Sequence, residues 1–250
     1  MTKKLMIIGG GEIGRPGTQI ETENIDRETI GLSGKVHPKL LFLPTASGDN
    51  PGYIEVVEKY FGKRLGCRID SLKLKTKEYT SQEIRKKILA SDIIYVGGGN
   101  TLKMMKCWRE LGVDKILRQA YKNGIVMSGV SAGGICWFKY GQSDSWKIAN
   151  PKNPYIRVNG IGLIQSLHAP HFVREPKRHS DLKSIMARTA GVAIALEDCC
   201  ALEIVDEKYR IINSRAKAKA YKCYWKKGKY FQEEIPLLKE FSPLEGIIKK

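Results

Sequence analysis

The ten residues Gly129–Phe138, GVSAGGICWF, follow the apolar run Ile125-Val126-Met127 after a single serine. A serine framed by glycines at the end of a strand-like run has two readings. It is an exposed nucleophile on a strand-to-helix turn, or a small-residue corner that lets a helix pack closely on a sheet. Both need a strand followed at once by a helix, which places the chain among α/β folds. In the first reading the glycines permit a sharp, strained turn and keep other atoms away from the Ser131 Oγ. The Ala132 N–H then faces the same point as half of an oxyanion hole. A serine is a weak nucleophile near neutral pH, so this reading also requires a base within hydrogen-bond reach.

Outward from this turn, short apolar runs alternate with helical patterns. Strands are expected at Lys4–Ile8, Lys39–Leu43, Arg68–Lys73, Asp92–Val96 and Gly124–Ser128. Helices are expected around Tyr53–Leu65, Ser81–Ala90, Asn100–Glu110 and Val113–Lys122, the second capped by Ser81 with Gln82 and Glu83. Strands separated by helices of this length imply right-handed crossovers and a mostly parallel sheet covered on both faces. After Gly191 strand formers dominate, with turn signals near Asp206-Glu207 and Lys227-Gly228, and are read as hairpins extending the edge of the main sheet. Without an internal repeat or long linker, residues 1–250 are expected to form a single domain.

Two glycine clusters follow expected strands. GGGEIG contains G-x-G-x-x-G at Gly9, Gly11 and Gly14, but Pro16-Gly17 interrupts any helix and the next strand ends in Pro44-Thr45, without the acid that a dinucleotide site requires. It is read instead as a tight turn at the end of the sheet where α/β proteins gather active-site loops. In YVGGGNTLKMMK, Gly97, Gly98 and Gly99 precede Asn100 and Thr101, either of which can cap the following helix. Unpaired N–H groups there suit an anion or a developing oxyanion; a turn needing positive φ is the plainer use.

Composition narrows the class. The chain has 250 residues, 42% hydrophobic and 28% charged, which is ordinary for a globular enzyme. No apolar stretch is long enough to span a bilayer. Leu5–Ile8, followed at once by three glycines, reads as a first strand and not as a signal-peptide core, so a cytoplasmic location is expected. Six cysteines lie scattered with no C-x-x-C pair, which argues for free buried thiols and against a structural metal or a disulfide scaffold. The net charge is +17, and residues 207–230 hold nine Lys or Arg against one acid. RAKAKA would place Arg215, Lys217 and Lys219 on one side of a strand. No nucleic-acid motif accompanies them, so they are read as a solvated face and no nucleic-acid partner is expected.

Four histidines are available as the base. His37 precedes Pro38 and is expected at the surface, and His179 lies in a basic polar segment. His168 and His171 share SLHAPHFVRE; Pro170 and Phe172 favour His171, with His168 its rival. The orienting acid is open among Asp144, Glu197 and Asp198.

In order and spacing, GGGNT, GVSAGGICWF, GQSDS and APHF resemble the peptidase E family of serine peptidases, which includes α-aspartyl dipeptidases and is related to cyanophycinases. The resemblance covers essentially the whole chain. It implies a fold like the class I glutamine amidotransferases (flavodoxin-like), with C-terminal β-hairpins and a serine where those enzymes carry cysteine. It further implies Ser131 as nucleophile, His171 as general base and Asp144 as the orienting acid, with Glu197 in reserve. The oxyanion hole would use the N–H of Ala132 and one from the Gly98–Gly99 loop, with Asn100 in support. The implied substrate is a small peptide, with neither metal nor organic cofactor. For an acidic substrate, Arg174, Lys177 and Arg178 are the nearby cations. Gly134 departs from the alanine common in the family.

Two other classes remain at this point. An α/β-hydrolase esterase shares G-x-S-x-G, although only 40 residues separate Ser131 from His171. A non-catalytic module could instead use the basic hairpins on nucleic acid.

Overall fold

The structure, a computed structural model, describes residues 1–173 and 176–250, of residue 176 the backbone only. Five strands, β1 (Lys4–Ile8), β2 (Lys39–Leu43), β3 (Arg68–Ser71), β4 (Ile93–Val96) and β5 (Val126–Val130), run parallel in the order β1-β5-β4-β2-β3. Between them lie α1 (Glu23–Gly31), α2 (Pro51–Val57), α3 (Ser81–Leu89), α4 (Thr101–Glu110) and α5 (Val113–Lys122). Alternate strand residues enter different cores, as a parallel sheet covered on both sides requires. Leu41, Leu43, Ile94 and Met127 meet Ile84, Met104, Trp108 and Leu117 of α3, α4 and α5. Phe42, Ile93, Tyr95 and Val126 meet Ile25, Ile54 and Val57 of α1 and α2. These five strands lie where the apolar runs predicted, within two residues at each end.

Local chemistry shifts some boundaries. The cap of α3 is Thr80, whose Oγ1 accepts the Glu83 N–H while Glu83 reaches back to the Thr80 N–H, so the expected cap Ser81 is the first helical residue. The long helix expected from Tyr53 begins at Pro51, where Asn50 caps it through the Tyr53 N–H, and passes into a π-helical stretch over Glu58–Arg64.

After β5 a short helix, α6 (Ala132–Ile135), leads out of this sheet into a second one. That sheet takes β6 (Phe138–Ser143), β7 (Ile156–Asn159), β8 (Ile164–Ala169) and β9 (Val192–Leu196), with α7 (Pro176–Ala187) between the last two. The chain then returns to the main sheet, where β10 (Cys200–Val205) and β11 (Lys208–Asn213) form a hairpin whose first strand pairs antiparallel with β1. It leaves again with the hairpin β12 (Ala220–Lys226) and β13 (Lys229–Ile235), which pairs with β9, and ends in β14 (Ser242–Pro243) and α8 (Glu245–Ile248). Only the first hairpin therefore extends the main sheet; the second belongs to the six-stranded sheet β13-β12-β9-β8-β6-β7. RAKAKA is not a strand. All of it but Ala220, which opens β12, lies in the turn that carries the chain from one sheet to the other. One apolar cluster holds residues of both sheets, from Leu5 and Leu41 to Ile164, Ile194 and Ala220. All six cysteines are buried and unpaired. No helix among the described residues is long and apolar enough to cross a membrane.

Candidate active site

Three strand ends meet at Ser131. It follows β5, with the glycine turn after β1 on one side and the one after β4 on the other, because β5 pairs with both strands. The Ser131 N–H bonds to the Ile8 carbonyl at 3.0 Å, and the backbone turns at φ 55°, ψ −112°. A side chain rarely adopts that conformation, so packing must hold it. The flanking glycines make this feasible: a Cβ on Gly133 would overlap the Val96 carbonyl, and one on Gly129 would overlap the backbone of Gly133.

The base and the acid come from the second sheet. β8 and β9 pair in parallel, His168 opposite Ile194 and Ala169 opposite Ala195, so the residues just past their ends are neighbours. His171 lies past β8, with φ 51° and its N–H on the Gly9 carbonyl at 3.2 Å. Asp198 lies past β9, where Cys199 at φ 63° turns the chain toward β10 and bonds the Gly10 carbonyl at 2.9 Å. His171 Nε2 stands 2.9 Å from Ser131 Oγ, and Nδ1 bonds Asp198 Oδ1. With Nδ1–H donating to the carboxylate, Nε2 is left to accept the serine proton. Gly10 is what admits the pair, since a Cβ there would overlap both Asp198 Oδ1 and the imidazole.

The expected acid, Asp144, is elsewhere. It follows β6 on the other side of β8, and its carboxylate faces the Arg178 guanidinium at 3.9 Å. Arg178 does not face the cleft as a substrate cation. It is 3% exposed, donates to the Pro170 carbonyl at 2.9 Å and lies over the Tyr155 ring, steadying the segment that carries His171. Arg174 lies outside the described residues. Glu197 turns away from His171 and accepts from the Lys219 N–H at 3.1 Å and the Tyr221 hydroxyl at 3.0 Å. Asn100 caps α4 through the Lys103 N–H and donates to the Ser145 carbonyl at 3.2 Å, tying the loop after β6 to the glycine turn after β4.

His168 has a different role. It is fully buried, stacked on Phe138 with ring centroids 5.0 Å apart, and its Nδ1 donates to the Ile194 carbonyl at 3.0 Å. Burial pushes its pKa down to about 3, so it is a neutral core residue. It also helps crowd Gly134, where a Cβ would stand 3.1 Å from Ile7 Cγ2 and 3.2 Å from His168 Nε2.

Ser131, His171 and Asp198 open on a cleft of about 1380 Å³. Its wall includes Tyr53, Gly98, Gly99, Glu12, Arg15 and Arg64. Arg15 pairs with Glu12, and Arg64 pairs with Glu23 at 2.8 Å. Sequence reasoning missed these two arginines of the wall, because Arg15 and Arg64 lie far from any serine or histidine motif along the chain.

A nucleophile on the turn after a parallel strand, with a histidine and a carboxylate aligned behind it, defines an α/β serine hydrolase. The chain belongs to peptidase family S51, whose family model matches residues 5–212, and it is a serine-type peptidase. It is 34% identical over 239 residues to the uncharacterized peptidase YgaJ of Bacillus subtilis, covering 94% of this chain and 97% of that one. It is 21% identical to a cyanophycinase of Trichormus variabilis, over 79% of this chain and 66% of that protein. The fold is shared with a crystal structure of a peptidase from an acI-B1 actinobacterium, with a TM-score of 0.73, 17% identity and 97% of each chain covered. It is also shared with a putative peptidase E protein from Listeria monocytogenes, with a TM-score of 0.63, 21% identity and coverage of 85% of this chain and 99% of the other. Family membership sets aside the α/β-hydrolase and nucleic-acid-module readings.

Proposed function

We propose that this peptidase cleaves small peptides, as a dipeptidase does, through an acyl-enzyme on Ser131. The observation that carries this is the unbroken line from Ser131 Oγ through His171 to Asp198. Ser131 attacks the carbonyl while His171 Nε2 takes its proton, and Asp198 holds the ring and stabilises the imidazolium. His171 then gives the proton to the leaving amine, and later activates the water that releases the acid. The Ala132 N–H, at the first position of α6, receives the oxyanion together with a second donor on the side of the Gly98–Gly99 loop. Ser131 thus acts from a nucleophile elbow, and the chemistry calls for no metal or organic cofactor. An N-terminal aspartyl substrate would bring a carboxylate that Arg15, on the cleft wall, can meet by exchanging it for Glu12. Six buried thiols support a cytoplasmic setting, and the apolar cluster shared by the two sheets supports a single domain over 1–250.

Intact-mass spectrometry after a small fluorophosphonate tests the nucleophile. One adduct is expected on the unaltered protein and none on Ser131→Ala or His171→Ala. Asp198→Asn should lower kcat roughly 10⁴-fold on the best substrate of a dipeptide library, while Asp144→Asn stays within about tenfold. The reverse order of the two aspartates would reinstate Asp144.

A further inference from the structure

The Gly98 N–H is an obvious second oxyanion donor, yet it points at a side chain. It bonds the Tyr53 hydroxyl at 3.4 Å. Gly98 itself abuts the nucleophile, since a Cβ built on it would stand 3.6 Å from the Ser131 Cβ. The Tyr53 hydroxyl, bonded to that N–H, lies on the wall of the cleft that also holds Ser131. We propose that Tyr53 is a catalytic residue: its hydroxyl accepts the Gly98 N–H and donates its own proton to the oxygen that becomes negative when Ser131 attacks. This rests on Ser131 being the nucleophile.

A phenol has one proton and can accept through its oxygen at the same time. The Gly98 N–H uses the acceptor side, and among the described residues nothing accepts the proton. Tyr53 lines the same cleft as Ser131, His171 and Asp198, so that proton is available to a bound substrate. Accepting one hydrogen bond strengthens the one donated, so the N–H acts through the hydroxyl. Burial pushes the phenol up to about 12, which keeps it a donor wherever a histidine can serve as base.

The ring is held in place before substrate arrives. It packs edge-on against Phe42 with centroids 5.1 Å apart, and its backbone N–H is fixed by the Asn50 side chain at the start of α2. Gly97 makes room for it, because a Cβ there would lie 2.8 Å from Tyr53 Cε1. A donor fixed in advance costs no reorganisation as charge develops, which is what makes such groups effective.

Tyr53→Phe keeps the ring and removes only the hydroxyl, and the sign of its effect decides the matter. If the hydroxyl is the donor, fluorophosphonate labelling of Ser131 and kcat both fall roughly 100-fold, with KM within about threefold and an unchanged thermal midpoint. If the hydroxyl merely plugs the Gly98 N–H, its removal frees a better donor and both rates hold or rise; that outcome overturns the proposal. Labelling without turnover of any dipeptide would strike the peptide-substrate reading and leave Tyr53 to be judged on labelling alone. No labelling of the unaltered protein would strike both. Should Tyr53→Phe unfold, a difluorotyrosine at position 53 replaces it. This more acidic phenol should bring an alkaline fall in labelling into range, and an unmoved pH profile would overturn the assignment.

Discussion

A methyl group on Gly10 would overlap both Asp198 Oδ1 and the His171 imidazole. Gly10→Ala should therefore displace the pair and leave the strand before it intact, because both residues stand at the surface of a formed sheet. We expect kcat to fall roughly 10⁴-fold, the loss seen when a triad histidine loses its orienting carboxylate. Circular dichroism should still report a folded chain; activity within tenfold of the unaltered protein would show that the pair does not need the notch. At this scale the sequence singled out Ser131 and His171, each in a distinctive motif, and the structure sets them 2.9 Å apart. Asp198 was one of three acids in view, and nothing local separated it from Asp144. Both carboxylates leave strands that flank β8, and only the turn at Cys199, pinned to the Gly10 carbonyl, selects between them.

Within α1, Asp26 is fully buried beside the cleft wall. Its Oδ2 accepts from the Thr22 hydroxyl at 2.7 Å and the Tyr60 hydroxyl at 2.8 Å, while Oδ1 has no partner among the described residues. Desolvation outweighs the two hydrogen bonds and raises the carboxyl to about 7. A carboxyl raised in the folded state contributes stability that is full below its unfolded pKa of about 4 and is lost as pH rises through about 7. Thermal midpoints should therefore decline between those values. Asp26→Asn should flatten the decline, removing a pH-dependent penalty of roughly 4 kcal/mol at alkaline pH. An identical slope in the variant would place the titration elsewhere. The elements themselves were readable where their signals are local. The strands of the parallel sheet are continuous apolar runs, whereas the π-helical end of α2 carries no such mark. The division into two sheets was not readable, because β8 and β12 find β9 across long stretches of chain.

Across the whole molecule the net charge of +17 is dispersed. The turn at RAKAKA sends β11 into one sheet and β12 into the other, so the basic segment 207–230 does not form a single strip. Several of its cations are also engaged: Arg210 with Glu203 at 2.6 Å, Arg215 with Glu21 at 2.5 Å and Lys219 with Glu234 at 2.7 Å. Duplex DNA should accordingly show no saturable binding by fluorescence anisotropy at physiological salt; tight binding with a steep salt slope would reverse this. The order in which the site is built has a consequence for synthesis. Ser131 is mounted on the first sheet, His171 on the second, and Asp198 at the crossing where β10 returns beside β1. While a ribosome is still translating the region before that crossing, the serine has neither an oriented base nor a closed cleft. On the proposed triad, the nascent chain would be inert and would acquire its reactivity only when the returning strand locks into place.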